Sequence, residues 1–222
     1  MTCFAPTYRA IASRYPTTGI YDRIASSAEY ADIIALEALT NPRVLDEQAA
    51  YTAKIRVEDR IFGPGTYPIT SSFVCSTAGR FCDGSFGVYY AALSELTAIA
   101  ESIYHTSLFL RSTNETSTDV DKRIYTATAN AEVDDIRTRS MRSKLYHQSN
   151  YEASQVYGRR LYDANFLDGI LYNSVRDAGG ECVVFFRPRV LSDCLVYKYV
   201  QLRWDGTRVV AFADLANIRN YE

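Results

Sequence analysis

Several features that mark large classes of protein are missing from this sequence of 222 residues. No stretch of about 18 apolar residues occurs, so the sequence predicts no membrane-spanning helix. Basic and acidic residues are nearly balanced, 24 against 26, which gives a formal net charge of −2. A chain with so little excess charge has no general attraction for nucleic acid or for an anionic membrane. The start also lacks an apolar signal core, and we therefore expect a cytoplasmic protein.

Cysteine and histidine are too few and too scattered to indicate a metal site. The five cysteines include no C-x-x-C pair, and the chain has only two histidines. Zinc-binding spacings of these residues are therefore absent. We expect reduced thiols, several of them packed as small hydrophobic side chains, and no bound metal.

The common signatures of nucleotide binding and of serine hydrolases are absent as well. The chain contains no G-x-x-x-x-G-K-[ST], no G-x-G-x-x-G after a strand and no G-x-S-x-G. Its most basic stretch, Arg137 to Lys144, is interpreted as a solvated face rather than a nucleic-acid patch. Tyrosine, in contrast, is abundant, with 18 residues. A buried tyrosine needs a partner for its hydroxyl, so we expect most in the core and a few at a site.

The alternation of apolar and polar residues predicts one α+β domain over residues 1–222, with a mixed β-sheet core and flanking helices. Helices are expected at Ser27–Leu39, in a segment capped by Ser94 that includes Thr97–Leu110, and at Asn150–Leu167, and Asn41-Pro42 is a place where a further, shorter helix can begin. Strands are expected in 8–12, 88–91, 122–133, 170–172 and 182–186, and in a hairpin of 196–202 and 208–212 around Asp205-Gly206. Residues 69–91 have the pattern of strands and loops, with a short apolar run at Phe73–Cys75.

A few polar residues stand at the ends of predicted elements or in loops flanked by glycine. They are Arg14-Tyr15, Arg80, Tyr90, Glu101 and Ser174. Such positions favour function, because binding and catalytic residues concentrate in loops on a rigid scaffold. Each also has a structural explanation: a surface charge for Arg14, an exposed helix residue for Glu101 and a strand-end cap for Ser174. The pattern alone leaves both interpretations open.

The sequence around these residues resembles the RES-domain family, bacterial toxins named for an Arg, a Glu and a Ser. Matching segments occur in the family's order and cover most of the chain. Each segment is weak on its own, and together they are specific. They are residues 13–16, 58–65, 79–92, 97–105 and 169–176, followed by Gly180 and 186–188.

The resemblance implies a fold related to the ADP-ribosyltransferases and an enzyme that degrades NAD⁺. Some members of the family use phosphate as the acceptor, and some are described as modifying a protein with ADP-ribose. NAD⁺ is then a substrate, phosphate a co-substrate, and no resident cofactor is implied. The partner implied is an Xre-type antitoxin that covers the active site. The residues implied are Arg14, Glu101 and Ser174 for catalysis, and Tyr15, Arg80 and Tyr90 for binding NAD⁺.

These residue types suit cleavage of the bond between nicotinamide and ribose. The two arginines carry permanently charged forks that pair with phosphate oxygens, in place of a glycine-rich cradle. The two tyrosines can stack on a ring of NAD⁺ and still offer a hydroxyl. Cleavage builds positive charge on the ribose, which the carboxylate of Glu101 can stabilise. The hydroxyl of Ser174 can position a phosphate or the ribose.

The chain departs from the family's pattern near the expected pocket. Val74-Cys75 stands where many relatives carry Thr-His, and Cys82 stands where Ser is usual. Three hypotheses therefore remain: an NAD⁺ phosphorylase toxin, an ADP-ribosyltransferase that modifies a protein, and an inactive module that docks the tail of an antitoxin. The intact Arg, Glu and Ser favour an enzyme.

Overall fold

The computed structural model describes residues 1–14, 54–62 and 65–215, with the single positions 29, 32 and 36. The predicted helix Ser27–Leu39 falls almost wholly outside these residues, and the predicted helix start at Asn41-Pro42 lies outside them as well. The strands described are β1 (Thr2–Ala12), β2 (Tyr89–Ala92), β3 (Thr118–Ala131), β4 (Val133–Asp135), β5 (Gly169–Asn173), β6 (Glu181–Phe185), β7 (Leu191–Trp204) and β8 (Val209–Asp214). The helices with both ends described are α1 (Tyr67–Val74), α2 (Glu95–Arg111) and α3 (Glu152–Ala164), and short 3₁₀ turns cover Val57–Asp59, Lys144–Tyr146 and Pro188–Val190.

The eight strands form one sheet in the order β4-β5-β6-β2-β1-β3-β7-β8. Neighbouring strands are antiparallel, except that β4 and β5 are parallel. The predicted α+β class with a mixed sheet is therefore confirmed. Within the described ranges, no helix has the length and apolar character needed to cross a membrane.

Both faces of the central strands are buried. Along β6, Val183 and Phe185 belong to the apolar cluster that includes Phe73 of α1, whereas Cys182 and Val184 belong to the cluster on the opposite face. Strands covered on both sides become continuous apolar runs in sequence. This is why β5 and β6 were predictable nearly to the residue.

Helix α2 begins and ends at signals that the sequence carries. The Ser94 hydroxyl accepts the backbone N–H of Thr97 at 3.1 Å, and Glu95 stands in the first turn and Arg111 in the last. The cap gives a hydrogen-bond acceptor to one of the free N–H groups at the start of the helix, and both charges interact favourably with the helix dipole. The predicted helix is confirmed, and it carries Glu101 on the side that faces the sheet.

The prediction of strands and loops from residue 69 onward is wrong at its start, because Phe73 and Val74 end helix α1. Pro68 stands in the first turn, where its missing N–H costs nothing. Ile69 and Phe73 are four residues apart and buried on one face. A helix this short, with hydroxyl residues between its apolar positions, has little periodic signal, and packing decides its form.

The hairpin of β7 and β8 forms where Asp205-Gly206 predicts it. The carboxylate of Asp205 accepts the N–H groups of Thr207 at 2.8 Å and Arg208 at 2.9 Å. Gly206 has a φ of 101°, which other residues rarely adopt. The hairpin prediction is confirmed, although β7 extends to Leu191.

The sheet opens between β1 and β2. A single residue pair, Tyr8 with Ala92, joins these strands, whereas β1 pairs with β3 along nearly its whole length. The carbonyl oxygen of Tyr90 accepts a hydrogen bond at 2.8 Å from Nη1 of the Arg9 side chain. The Arg9 side chain therefore makes the hydrogen bond that a backbone N–H of a neighbouring strand usually makes, and β1 and β2 separate beside Tyr90.

Candidate active site

A cavity of about 640 Å³ lies where β1 and β2 separate. Its walls come from both strands, from α1, from α2 and from β3, so it reaches both faces of the sheet. The volume suits a small-molecule ligand. The polar and charged residues of its lining include Arg9, Arg80, Tyr90, Glu101, His105 and Lys122.

The structure brings together four of the six residues that the resemblance singled out. Arg80, Tyr90 and Glu101 line the cavity, and Ser174 lies directly behind Glu101. Arg14 is exposed in the turn after β1 and does not belong to the lining. Tyr15 lies outside the described residues, so its place in the site stays a prediction.

Glu101 and Ser174 form the closest polar pair of the site. The buried hydroxyl of Ser174 donates to Oε1 of Glu101 at 2.6 Å. The same hydroxyl oxygen accepts the backbone N–H groups of Arg176 and Asp177, both at 3.0 Å. Because the hydroxyl oxygen accepts both N–H groups, its own proton is oriented towards the Glu101 carboxylate. One carboxylate oxygen is therefore fixed, and the other has no hydrogen bond within the described chain.

The turn that follows β5 holds Ser174 in place. The Ser174 N–H donates to the carbonyl of Gly180 at 2.8 Å, and the Thr97 hydroxyl of α2 donates to the Asp177 carboxylate at 2.6 Å. A Cβ at Gly180 would stand 2.6 Å from both the Asp177 carboxylate and the Thr97 hydroxyl, so a larger residue would push these two groups out of their hydrogen bond. The turn and the first turn of α2 are thereby locked together, which sets the position of Glu101 against Ser174.

Replacing Ser174 by alanine is expected to lower the free energy of unfolding by about 1–2 kcal/mol, because two partly buried N–H groups lose their acceptor. Denaturant unfolding of Ser174→Ala measures this change. The matched control is Ser192→Ala, whose exposed hydroxyl donates to the neighbouring Asp193 carboxylate at 3.0 Å. A Ser174→Ala protein as stable as this control would contradict the arrangement.

The guanidinium of Arg80 is buried and already engaged. Its Nη1 donates to the carbonyls of Leu145 at 3.0 Å and His147 at 2.9 Å, and the group stacks 4.7 Å from the centre of the Tyr151 ring. These contacts fix a cation and an aromatic face at one wall of the cavity. The remaining N–H groups of Arg80 can meet a ligand.

Tyr90 supports the loop that carries Arg80. Its hydroxyl oxygen accepts the N–H of Phe81 at 2.8 Å, and its ring lies beside Gly79, where a Cβ would stand 3.0 Å from the hydroxyl. Burial raises the pKa of Tyr90, so the hydroxyl remains protonated and keeps a proton to donate. The residue therefore has a structural contact as well as a surface in the cavity.

The departures from the family pattern differ in where they lie. Cys75 is exposed and lines the cavity. Cys82 is buried outside the lining: its thiol donates to the carbonyl of Phe86 at 2.9 Å and accepts the N–H of Gly84 at 3.2 Å. A serine hydroxyl could make the same two bonds, so the change at Cys82 preserves the loop. All five cysteines are free.

Sequence reasoning missed two cations of the cavity, Arg9 and Lys122. Arg9 stacks 4.9 Å from the Tyr89 ring centre, and its buried Nε has no partner in the described part of the chain. Burial, followed by the charge of Arg14, lowers the pKa of Lys122 to about 8. The available signal was weak: each cation stands within an alternating strand, in a position where an apolar residue would also fit.

The arrangement can fix a carboxylate beside a wall of cations and aromatic rings. Such a site can hold an anionic ligand and stabilise positive charge that develops next to Glu101. Among the residues described, no group of three or more His, Cys, Asp and Glu side chains is placed to hold a metal ion.

Comparison with known proteins gives a match to one family model. The model described as RES domain matches residues 55–205, which is more than half of the chain. A protein of Sinorhizobium fredii (strain NBRC 101917 / NGR234), named uncharacterized protein y4oC, is 24% identical over 218 residues, covering 95% of this chain and 89% of that protein. Among solved structures, a chain in the crystal structure of the M. tuberculosis MbcT-MbcA toxin-antitoxin complex is 11% identical. It has a TM-score of 0.43, with coverage of 95% of this chain and 83% of that one.

Proposed function

The chain belongs to the RES domain family, and on this basis we propose that it is an enzyme that cleaves the bond between nicotinamide and ribose in NAD⁺. We propose phosphate as the acceptor, so that the protein is an NAD⁺ phosphorylase. The observation that carries this proposal is the pairing of Glu101 with Ser174 on the wall of a cavity lined by cations and aromatic rings.

The proposed reaction moves one bond at the ribose carbon C1″. The bond from C1″ to the nicotinamide nitrogen breaks, and its electron pair leaves with nicotinamide, which becomes neutral. An oxygen of phosphate then forms the new bond to C1″, and the phosphate proton passes to solvent. The products are nicotinamide and ADP-ribose carrying a phosphate on C1″. The atoms and charges balance without an oxidant or a metal.

Glu101 has the central role in this scheme. Positive charge grows on the ribose as nicotinamide leaves, and a carboxylate at that point lowers the barrier. Ser174 fixes one oxygen of Glu101 and leaves the other for the ribose. This serine is therefore proposed as a positioning residue, because its hydroxyl donates to Glu101. The turn after Ser174 is closed by the hydrogen bond from the Ser174 N–H to the Gly180 carbonyl.

The aromatic wall is proposed to hold a ring of NAD⁺. Tyr151 already stacks on Arg80, and Tyr90 lines the same cavity and bonds to Phe81, the residue after Arg80. The proposed roles of Arg14 and Tyr15 remain predictions. Because Arg14 lies outside the lining, a contact with substrate would require a ligand that extends to the end of β1.

We further propose that the protein is the toxin of a bacterial toxin–antitoxin pair and acts in the cytoplasm as a single domain over residues 1–222. The family resemblance supports this proposal and implies an Xre-type antitoxin as partner. Covering the cavity is the physical means by which such a partner would stop the reaction.

The test is incubation of the purified protein with NAD⁺, with and without inorganic phosphate. We expect free nicotinamide in both cases, a faster release with phosphate, and a phosphorylated ADP-ribose identified by its mass. In cells, expression is expected to arrest growth and lower NAD⁺, and an antitoxin is expected to reverse both. Release unaffected by phosphate would replace phosphorolysis by hydrolysis or transfer to a protein. No release from folded protein would leave the inactive docking module.

A further inference from the structure

The three cations of the cavity differ in how fully the protein itself engages them. Arg9 gives Nη1 to the Tyr90 carbonyl, and Arg80 gives Nη1 to two backbone carbonyls. The ammonium group of Lys122 has neither a hydrogen bond nor an ion pair with any other residue that the structure describes. Its ammonium group is therefore the cavity charge most available to a ligand.

The fold explains why Lys122 faces the cavity. On β3 it pairs with Ala12 of β1 and with Val200 of β7, and it shares a face with Ile124. Ile124 and Val200 are both buried in an apolar cluster, against which a lysine stem can pack while its ammonium extends to the cavity. The stem is thus held, and the charge is presented at one place.

The next lysine on this face shows the contrast. Lys198 stands opposite Ile124 and is neutralised by two carboxylates, Glu95 and Asp214, each at 2.8 Å. No such carboxylate reaches Lys122 within the described chain. The fold therefore neutralises one lysine of the face and leaves the other, at the cavity, without an acidic partner.

A like charge stands close to Lys122. Arg14 lies at the end of β1 and helps to lower the lysine pKa to about 8, after the larger effect of burial. His105 of α2 lines the same cavity, one turn beyond Glu101, whose Oε1 is bound by Ser174. Burial lowers the pKa of His105, so its imidazole is neutral at pH 7.5 and above. A half-buried cation close to another cation is unfavourable by itself, and a bound anion would remove that penalty.

We propose that Lys122 binds a phosphate group on the β3 side of the cavity. The inference rests on the proposed function and goes beyond it, because it names the residue that holds an anion of the reaction. The shared chemistry is a phosphate, supplied either by the inorganic acceptor or by the diphosphate of the dinucleotide. Lys122 touches the ligand in this role and is a binding residue, separate from the Glu101–Ser174 pair.

The protonation of Lys122 gives the inference a pH dependence with a definite sign. Only the ammonium form attracts a phosphate, so binding is strong below the pKa of about 8 and weakens as pH rises through it. The protonated share falls from about three quarters at pH 7.5 to a few per cent at roughly pH 9.5. A bound phosphate raises the pKa of Lys122, so the decline in binding occurs at somewhat higher pH than for the free protein. An arginine at this position stays charged throughout.

The experiment measures binding without turnover, by calorimetric titration of the full chain with inorganic phosphate and, separately, with ADP-ribose. Lys122→Met is expected to weaken binding about tenfold or more, the scale of one hydrogen bond to a charged group. Lys122→Arg is expected to keep the binding and to lose its decline between pH 7.5 and 9.5. The matched control is Lys144→Met, since Lys144 is exposed and outside the lining.

The two ligands identify the source of the phosphate. Weaker binding of inorganic phosphate by Lys122→Met would place the acceptor at Lys122, and weaker binding of ADP-ribose alone would place the diphosphate there. Unchanged binding of both ligands by a folded Lys122→Met protein would overturn the inference, as would equal losses in Lys144→Met. These outcomes are independent of nicotinamide release, so a failure of the proposed reaction and a failure of the anion site can be told apart.

Discussion

Replacing Glu101 by glutamine is expected to lower the turnover of NAD⁺ by about 10²–10³, the scale of losing one well-placed electrostatic contact in a transition state. Glutamine keeps the length of the side chain and an oxygen that can accept the hydrogen bond from Ser174, which the structure shows at 2.6 Å. Only the negative charge is lost. The ribose carries positive charge in the transition state and not in the ground state, so the loss should appear in kcat.

Binding of NAD⁺ by Glu101→Gln is expected to change little, and a titration with the intact dinucleotide measures it. The matched control is Glu95→Gln on the same helix. The Glu95 carboxylate pairs with the Lys198 ammonium at 2.8 Å and does not contact Ser174. We expect this control to keep its turnover and to lose no more than about 1 kcal/mol of stability. Turnover near that of the unchanged protein in Glu101→Gln would remove Glu101 from the mechanism.

The sequence predicted those elements whose signal is local. Helix α2 follows from the Ser94 cap and an uninterrupted helical stretch, and the β7–β8 hairpin follows from Asp205-Gly206. β5 and β6 follow from their continuous apolar runs, which are typical of a strand that is buried on both faces. In each case propensity, capping and burial point to the same structure, which is the condition under which prediction from one sequence succeeds.

The opening of the sheet between β1 and β2 has no local signal. It depends on a side chain, Arg9, that bonds to the Tyr90 carbonyl 81 residues away in sequence. Helix α1 was missed for a related reason, because its eight residues become helical through packing of Ile69 and Phe73 rather than through propensity. The cavity is formed by these two features, so its existence could not be read from the pattern of residues.

The candidate site shows the same division. Glu101 and Ser174 are 73 residues apart in sequence. The sequence pattern alone allowed Glu101 to be an exposed helix residue and Ser174 to be a strand-end cap. The resemblance to a family named them, and the structure places them in contact. Lys122 had neither a motif nor a resemblance to mark it. Only the pairing of β3 with β1 and β7 shows that its charge lies at the cavity.

Gly158→Ala is expected to lower the free energy of unfolding by about 2–3 kcal/mol, the upper part of the range for forcing an extra methyl group into a packed contact. Gly158 is a buried residue of α3 that lies against the backbone of Phe81. A Cβ there would overlap the Phe81 carbonyl oxygen and stand 2.9 Å from its carbon and 3.0 Å from its Cβ. In an exposed helix the same change would instead stabilise the protein by about 1 kcal/mol. The sign of the effect therefore reports the contact.

The contact matters for the site because α3 holds the segment that carries Arg80. Gln155 of this helix donates to the carbonyl of Gly79 at 2.9 Å, one residue before Arg80 and two before Phe81. Moving α3 away from Phe81 should displace the guanidinium from its stack, so turnover should fall together with stability. The control is Val156→Ala on the exposed side of α3, which is expected to change stability by no more than about 0.5 kcal/mol. Urea unfolding of both variants decides the matter, and a Gly158→Ala protein more stable than the unchanged chain would show that the helix does not need this close approach to hold the Arg80 loop.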